Sequence, residues 1–177
     1  MQIPIGQIPE EGRACSFHKG EGWLEELPGG SGPLGFTVGG VQVSCTLKKV
    51  REAIYVEGSL VTEVQGECCR CLEKARLPIQ CEFRYIFLPE PDIHAEEKEL
   101  SRDDLDCVYY REEIIDLDPV IYEQIMLQVP MKMLCRDDCR GLCGSCGANL
   151  NREACTCPPR GGDERLAVLK KLKLKNS

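Results

Sequence analysis

Six of the thirteen cysteines in this 177-residue chain fall in one short run, CRDDCRGLCGSCGANLNREACTC, as Cys135, Cys139, Cys143, Cys146, Cys155 and Cys157. Thiolates are soft ligands, and zinc takes four of them at tetrahedral corners. Cys143-x2-Cys146 can present two sulfurs from one tight turn, and Cys155-x-Cys157 can return the second pair. Gly147, directly after the second cysteine, suits the positive φ of such a turn, and Gly144 inside the pair is expected to help likewise.

Counting the remaining thiols yields a second set. Cys135 and Cys139 are left over at a spacing of one helical turn, so a single turn of helix would aim both sulfurs the same way. The run GECCRC contains another pair at x2 spacing, Cys68 and Cys71. Two plus two closes a second all-cysteine site, which would clamp the middle of the chain to its C-terminal part. The alternatives are that Cys68 and Cys71 are small residues at a strand end, or a redox pair whose thiol pKa is lowered by Arg70 between them. Cys15, Cys45, Cys69, Cys81 and Cys107 have no second cysteine at comparable spacing and read as small buried residues.

A disulfide framework is the competing explanation for so many cysteines. Against it stand an odd total, thiols in close pairs, and a start, MQIPIGQIPEEG, with neither a basic segment nor an apolar one. No stretch of eighteen apolar residues implies a membrane span, so a reducing cytoplasm is the expected setting. Catalytic constellations are missing as well. The two histidines, His18 and His94, stand apart from the cysteine pairs, and no G-x-S-x-G, Walker loop or G-x-G-x-x-G occurs. A catalytic zinc keeps one position open and uses histidine or carboxylate ligands, whereas both sets here are closed and all-cysteine. The expectation is two structural ions per chain in a protein that is not an enzyme, with zinc and iron both open for the thiolates. The alternative is a thiol-redox or metal-dependent enzyme using Cys68 and Cys71.

The elements that must position these residues read as an α+β fold. A composition of 42% hydrophobic and 29% charged residues is that of a soluble globular protein able to bury a core. Between Gly35 and Pro89 the chain alternates and is β-rich, giving three or four antiparallel strands in a sheet that could close into a barrel. Val41, Val43, Cys45 and Leu47 line one face, and Gln42, Ser44, Thr46 and Lys48 the other. The Cys68–Cys71 turn lies where one long strand hands over to the next. Residues 89–106 are acidic and read as a solvated connector, with a short strand to follow at Cys107–Tyr110. Asp118 is expected as N-cap of a helix with Pro119 at its first position and Pro130 as its stop. Its stripe of Ile121, Tyr122, Ile125, Met126 and Val129 packs on the sheet. An edge strand is expected at Ile3 to Ile8, and a last helix at Asp163 to Lys173. This divides the chain into a β-rich body with one packing helix, 1–129, and a cysteine-rich zinc module with a basic helix, 130–177.

Charge divides along the same line. Residues 1–129 hold 12 Lys or Arg against 24 Asp or Glu, and residues 130–177 hold 10 against 5, which recovers the net −7. Arg140, Arg152, Arg160, Lys170, Lys171 and Lys173 could therefore meet a phosphate backbone or an acidic partner. Thiolates held by zinc would reduce that positive potential.

The G-E-C-C-R-C-L-E string after a strand, a helix ending in LQVP, the run LCRDDCRGLCGSCGANLN, then CTC and DERLAVLKKL, together resemble the YceD family of bacterial and plastid proteins. The likeness covers roughly residues 40–175. The family's descriptive name, large ribosomal RNA subunit accumulation protein, implies a ribosome-biogenesis factor that supports large-subunit rRNA synthesis, processing or accumulation. Its partner would be rRNA or a ribosomal or assembly protein, with no small-molecule substrate. Family members keep the C-x2-C that matches Cys68 and Cys71, and some lack the later cysteines, which agrees with two sites. Cys69 between the pair departs from the pattern and leaves Cys68 and Cys69 as alternative ligands.

Overall fold

A computed structural model describes residues 1–27, 34–90 and 107–158. The expected helix at 163–173, with Arg160, Lys170, Lys171 and Lys173, lies outside the described residues, as do residues 91–106 of the acidic segment.

The described residues are mainly sheet with one helix. Two long strands, β5 (Ala53–Glu67) and β6 (Lys74–Pro89), follow the alternating pattern and form a hairpin paired from Ile54↔Phe87 to Glu67↔Lys74. β4 (Val41–Val50) pairs with β5, and its burial alternates as its sequence does, with Val41, Val43, Cys45 and Leu47 buried. β2 (Arg13–Lys19) pairs with β4, and β3 (Phe36–Val38) continues along β5 beyond the reach of β4. The strand at Cys107–Tyr110, β7, is present, but it joins β6 in parallel. The order is β2-β4-β5-β6-β7 with β3 beside β5, so the sheet is open, with β2 and β7 at its edges.

That open sheet corrects the expectation of a barrel. Its inner face, instead of curling onto itself, is covered by a second layer. β1 (Gln2–Pro4) pairs with β8 (Ile114–Asp116) in a separate two-stranded sheet, and α1 (Asp118–Gln128) follows directly. Ile3, Ile5, Ile115, Leu117, Ile121 and Ile125 from this layer join Leu47, Ile54, Val56, Leu60 and Phe87 in one core. Burial of each such side chain contributes about 1.5–3 kcal/mol, which holds the two layers together without closure. The expected edge strand at Ile3–Ile8 is thus shorter, and ends in a 3-10 turn at Ile5–Gln7.

The helix forms where expected and its start differs. Leu117 takes the cap position and Asp118 is already helical; the Asp118 backbone N–H donates to Asp116 Oδ1 at 3.0 Å. The Asp118 carboxylate is instead drawn away by Lys19, whose Nζ is 2.8 Å from Oδ2. Asp116 supplies the acceptor that the helix N-terminus needs. Tyr85 docks the helix on β6, donating to Glu123 Oε2 at 3.2 Å and accepting from Gln124 Nε2 at 2.6 Å.

Candidate metal centres

At the far end of the β5–β6 hairpin the chain makes a tight turn. Cys68 N–H bonds Glu73 O at 2.8 Å and Leu72 N–H bonds Cys68 O at 2.9 Å, with Leu72 itself left-handed at φ 61°. This turns Cys68 and Cys71 inward, 0% and 4% exposed, and leaves Cys69 facing out. The segment after α1 then closes over them: Cys69 N–H bonds Met133 O at 2.9 Å, and Cys135 and Cys139 arrive beside the hairpin end. Cys135 lies on a bend and Cys139 directly after the turn at Asp137 and Asp138, not on a turn of helix, with Cys139 N–H bonding Arg136 O at 3.1 Å. Asp137 and Asp138 between them favour turns over helix, which is the physical reason for the difference.

Cys68, Cys71, Cys135 and Cys139 therefore form one group, with every pair of sulfurs within 4.8 Å. Cys68 and Cys139 Sγ are 3.7 Å apart, and Cys71 and Cys135 Sγ 3.6 Å. A zinc–thiolate tetrahedron with bonds near 2.3 Å has sulfur–sulfur edges of about 3.8 Å. The donor set and its spacing fit such an ion. Ala75 is buried with the group, and Met133, Leu134 and Leu142 pack around it, so this is a second small core with sulfurs at its centre.

Cys143, Cys146, Cys155 and Cys157 form the other group, again within 4.8 Å, with Sγ separations of 3.3 Å for Cys143–Cys155 and 3.5 Å for Cys146–Cys155. It lies nearer the surface. Cys143 N–H bonds Ala148 O at 2.8 Å and Gly147 N–H bonds Cys143 O at 2.9 Å, closing the knuckle. Gly147 has φ 76° as that turn requires, whereas Gly144 is not among the positive-φ glycines. Gly141 is, at φ 75°, and a Cβ there would come within 3.0 Å of Arg70 O.

The electrostatics of both groups suit a cation. Burial opposes ionisation of Cys68, yet backbone N–H groups of Cys135, Cys71 and Arg70 overcome it and bring the thiol down to about 6. Burial, then the sulfurs of Cys71, Cys139 and Cys68, pushes Cys135 up to about 12. In the outer group the backbone N–H groups of Cys146 and Ser145 hold Cys143 down at about 6, while the sulfurs of Cys155 and Cys146 push Cys157 up to about 12. Four thiols crowded together resist losing all their protons unless a positive ion offsets the charge.

Arg70 does not act on a thiol through its side chain. Its guanidinium donates to Asp137 O at 3.3 Å and Cys139 O at 2.8 Å, and its carbonyl accepts from Leu142 N–H at 3.0 Å, so it fastens the two segments. Arg152 pairs with Glu73 at 2.5 Å across the same junction. Arg140 is exposed and, among the described residues, has no ion pair. Of the other thiols, Cys15 and Cys45 are buried opposite one another on β2 and β4 and Cys81 and Cys107 are half-buried, while Cys69 is exposed, contrary to expectation, because the turn points Cys68 and Cys71 inward instead. Residue chemistry does not single out Glu73, Asn149 and Asn151, which tie the groups together; the signals are the N-L-N string after Cys146-Gly147 for the two asparagines and the end of the G-E-C-C-R-C-L-E string for Glu73.

A sheet-based body whose longest hairpin ends in one four-thiol group, with a second in tandem, defines a protein organised around two candidate metal centres. The chain belongs to the family described as Large ribosomal RNA subunit accumulation protein YceD, whose model matches residues 56–173 and so spans both groups. It is 34% identical over 107 residues to an uncharacterised protein of Mycobacterium bovis, covering 60% of this chain and 50% of that one. It is 27% identical over 144 residues to the Large ribosomal RNA subunit accumulation protein YCED homolog 1, chloroplastic, of Zea mays, covering 68% of this chain and 49% of the maize protein. The Arabidopsis thaliana protein of the same description is 26% identical over 139 residues, covering 66% and 43%. The chain spans about half the length of the curated relatives it matches. No solved structure matches. Among the described residues no helix is long and apolar enough to cross a membrane.

Proposed function

We propose that this protein is a non-catalytic ribosome-biogenesis factor that supports synthesis, processing or accumulation of large-subunit rRNA, with two structural zinc ions per chain. The observation that carries the reading is the family match spanning two four-thiol groups, each with four sulfur donors within 4.8 Å of one another. Closed all-sulfur sites suit structure, since a catalytic ion needs an open position. Burial of Cys68 and Cys71 argues the same way, because a redox pair must be reached by its partner thiol. The setting is a reducing cytoplasm. The acidic body disfavours naked RNA, so the contact is a ribosomal or assembly protein, or a local rRNA contact at the C-terminal end through Arg140 and its neighbours.

The test is depletion of the protein in its own cell, followed by measurement of large-subunit against small-subunit rRNA. The ratio should fall, and recover with the wild-type chain but not with Cys71→Ser. An unchanged ratio would remove the reading; recovery by a metal-free but folded variant would remove the role given to zinc.

A further inference from the structure

We propose that Asn151 is a positioning residue that couples the two cysteine groups, so that loading of Cys143, Cys146, Cys155 and Cys157 with metal raises the metal affinity of Cys68, Cys71, Cys135 and Cys139. This rests on the metal-binding part of the proposed function.

Asn151 belongs by sequence to the outer group, in the turn between Cys146 and Cys155, but its side chain serves the inner one. Its Nδ2 donates to Cys139 Sγ at 3.3 Å. The amide orientation follows from its other partner: Oδ1 accepts from the Arg140 backbone N–H at 2.7 Å, and only an oxygen can face that donor, which turns the nitrogen toward the sulfur. The same nitrogen donates to Asn149 Oδ1 at 2.9 Å, and Asn149 Oδ1 also receives the Asn151 backbone N–H at 3.0 Å. Arg152 and Glu153 N–H groups both bond Asn149 O at 2.9 Å, completing a compact turn.

That turn is bracketed by the outer sulfurs. Cys146 and Cys155, nine positions apart, close its two ends with sulfurs at 3.5 Å. A closed outer group therefore limits the conformations open to residues 147–154, and an open one releases them. The linker from Cys139 to Cys143 is held at both sides, by Leu142 N–H on Arg70 O at 3.0 Å and Leu150 N–H on Gly141 O at 2.9 Å. An N–H donor to a ligand sulfur stabilises its thiolate and fixes its direction, and loss of such an outer partner costs metal affinity 10- to 100-fold, about that order being expected here. Coupling of this kind is reciprocal, so the inner group tightens the outer by the same factor.

The experiment uses the full chain, made metal-free under reducing, anaerobic conditions and titrated with Co2+ against a competing chelator. Native mass spectrometry at half-saturation should show metal-free and doubly loaded chains outnumbering singly loaded ones. Asn151→Asp keeps the acceptor for Arg140 and removes the donor to sulfur. It should weaken the inner group by about tenfold or more, and move its sulfur-to-cobalt charge-transfer band to lower energy. Cys143→Ser with Cys146→Ser should weaken the inner group similarly, and adding Asn151→Asp to that pair should cost nothing further. A statistical distribution of loaded states in the wild type, or losses that multiply when combined, would overturn the coupling while leaving two metal sites standing. If the wild-type chain takes up no Co2+ or Zn2+, the coupling and the metal reading fall together.

Discussion

Cys68 and Cys139 bring their sulfurs to 3.7 Å although 71 positions separate them in the chain. One comes from the tip of a hairpin and the other from a segment without regular secondary structure, and what joins them is the cysteine group together with a few polar contacts through Cys69, Arg70 and Glu73. Ala75, Met133, Leu134 and Leu142 make too small a core to hold that junction by apolar burial alone. A bound ion closes a long loop, and the stability this adds grows slowly, with the logarithm of the loop's length.

Metal content and stability should therefore divide between the groups. Elemental mass spectrometry of protein purified anaerobically should give two zinc per chain, and one for either Cys71→Ser or Cys146→Ser. Cys71→Ser should also lower the melting temperature on the order of 10 °C, since it opens the link between hairpin and C-terminal segment. Cys146→Ser should lower it less, because the outer group closes only local turns. One zinc in the wild type, insensitive to Cys71→Ser, would leave the inner thiols free.

Lys19 and Asp118 join β2 to the start of α1. Burial raises the Asp118 carboxyl, but Lys19 and the Met1 amine outweigh it and hold the group below its ordinary 3.8. A lowered folded value means stability that is present above the unfolded value and lost as pH falls through the folded one. Lys19→Met should thus cost about 1–2 kcal/mol in urea unfolding at pH 7, and the difference should shrink toward pH 3 as Asp118 protonates. An equal penalty at both pH values would assign the loss to packing on Trp23, over which Lys19 Nζ sits at 5.3 Å.

How far these relationships could be read in advance depends on how local they are. The cysteine groups were legible because metal turns leave close pairs, and the second set followed from counting what remained. β4, β5 and β6 were legible because Val41–Leu47 and its partners alternate cleanly. β2 was not, since Arg13–Lys19 buries only Cys15 fully and carries an edge-strand mixture of side chains. The parallel pairing of Ile86 with Cys107, and the antiparallel pairing of Ile3 with Ile115, depend on where distant segments meet, which no local period encodes. Closure into a barrel failed for that reason, and Asp118 gave up its expected cap to a lysine about one hundred residues upstream in sequence.

Cys45 supplies an alkaline prediction. It faces Cys15 across β2 and β4, and burial first, then the neighbouring thiol, pushes it from 9.0 up to about 11. The folded value is the higher one, so the neutral thiol's contribution is whole below about 9 and is lost as pH rises through 11. Melting temperature should fall between these values, and Cys45→Ala, though less stable at pH 7, should show a shallower fall. Identical slopes would mean that other groups carry the alkaline loss.

Gly141 gives the most local test of the junction between the two groups. Its φ of 75° is costly for any residue with a side chain, and an added Cβ would approach Arg70 O at 3.0 Å and Arg70 Cβ at 3.3 Å. Those atoms belong to the turn that carries Cys68 and Cys71, and Arg70 O is the acceptor for Leu142 N–H. Gly141→Ala should therefore push the linker off the hairpin tip, at a cost of about 1–3 kcal/mol, while the β-rich body keeps its circular dichroism. Chelator competition should then show the inner group losing its zinc first, with the Cys143–Cys157 group following more weakly. Equal retention of both ions would mean that the linker yields without moving Cys139, and that Gly141 is tolerated for conformation alone.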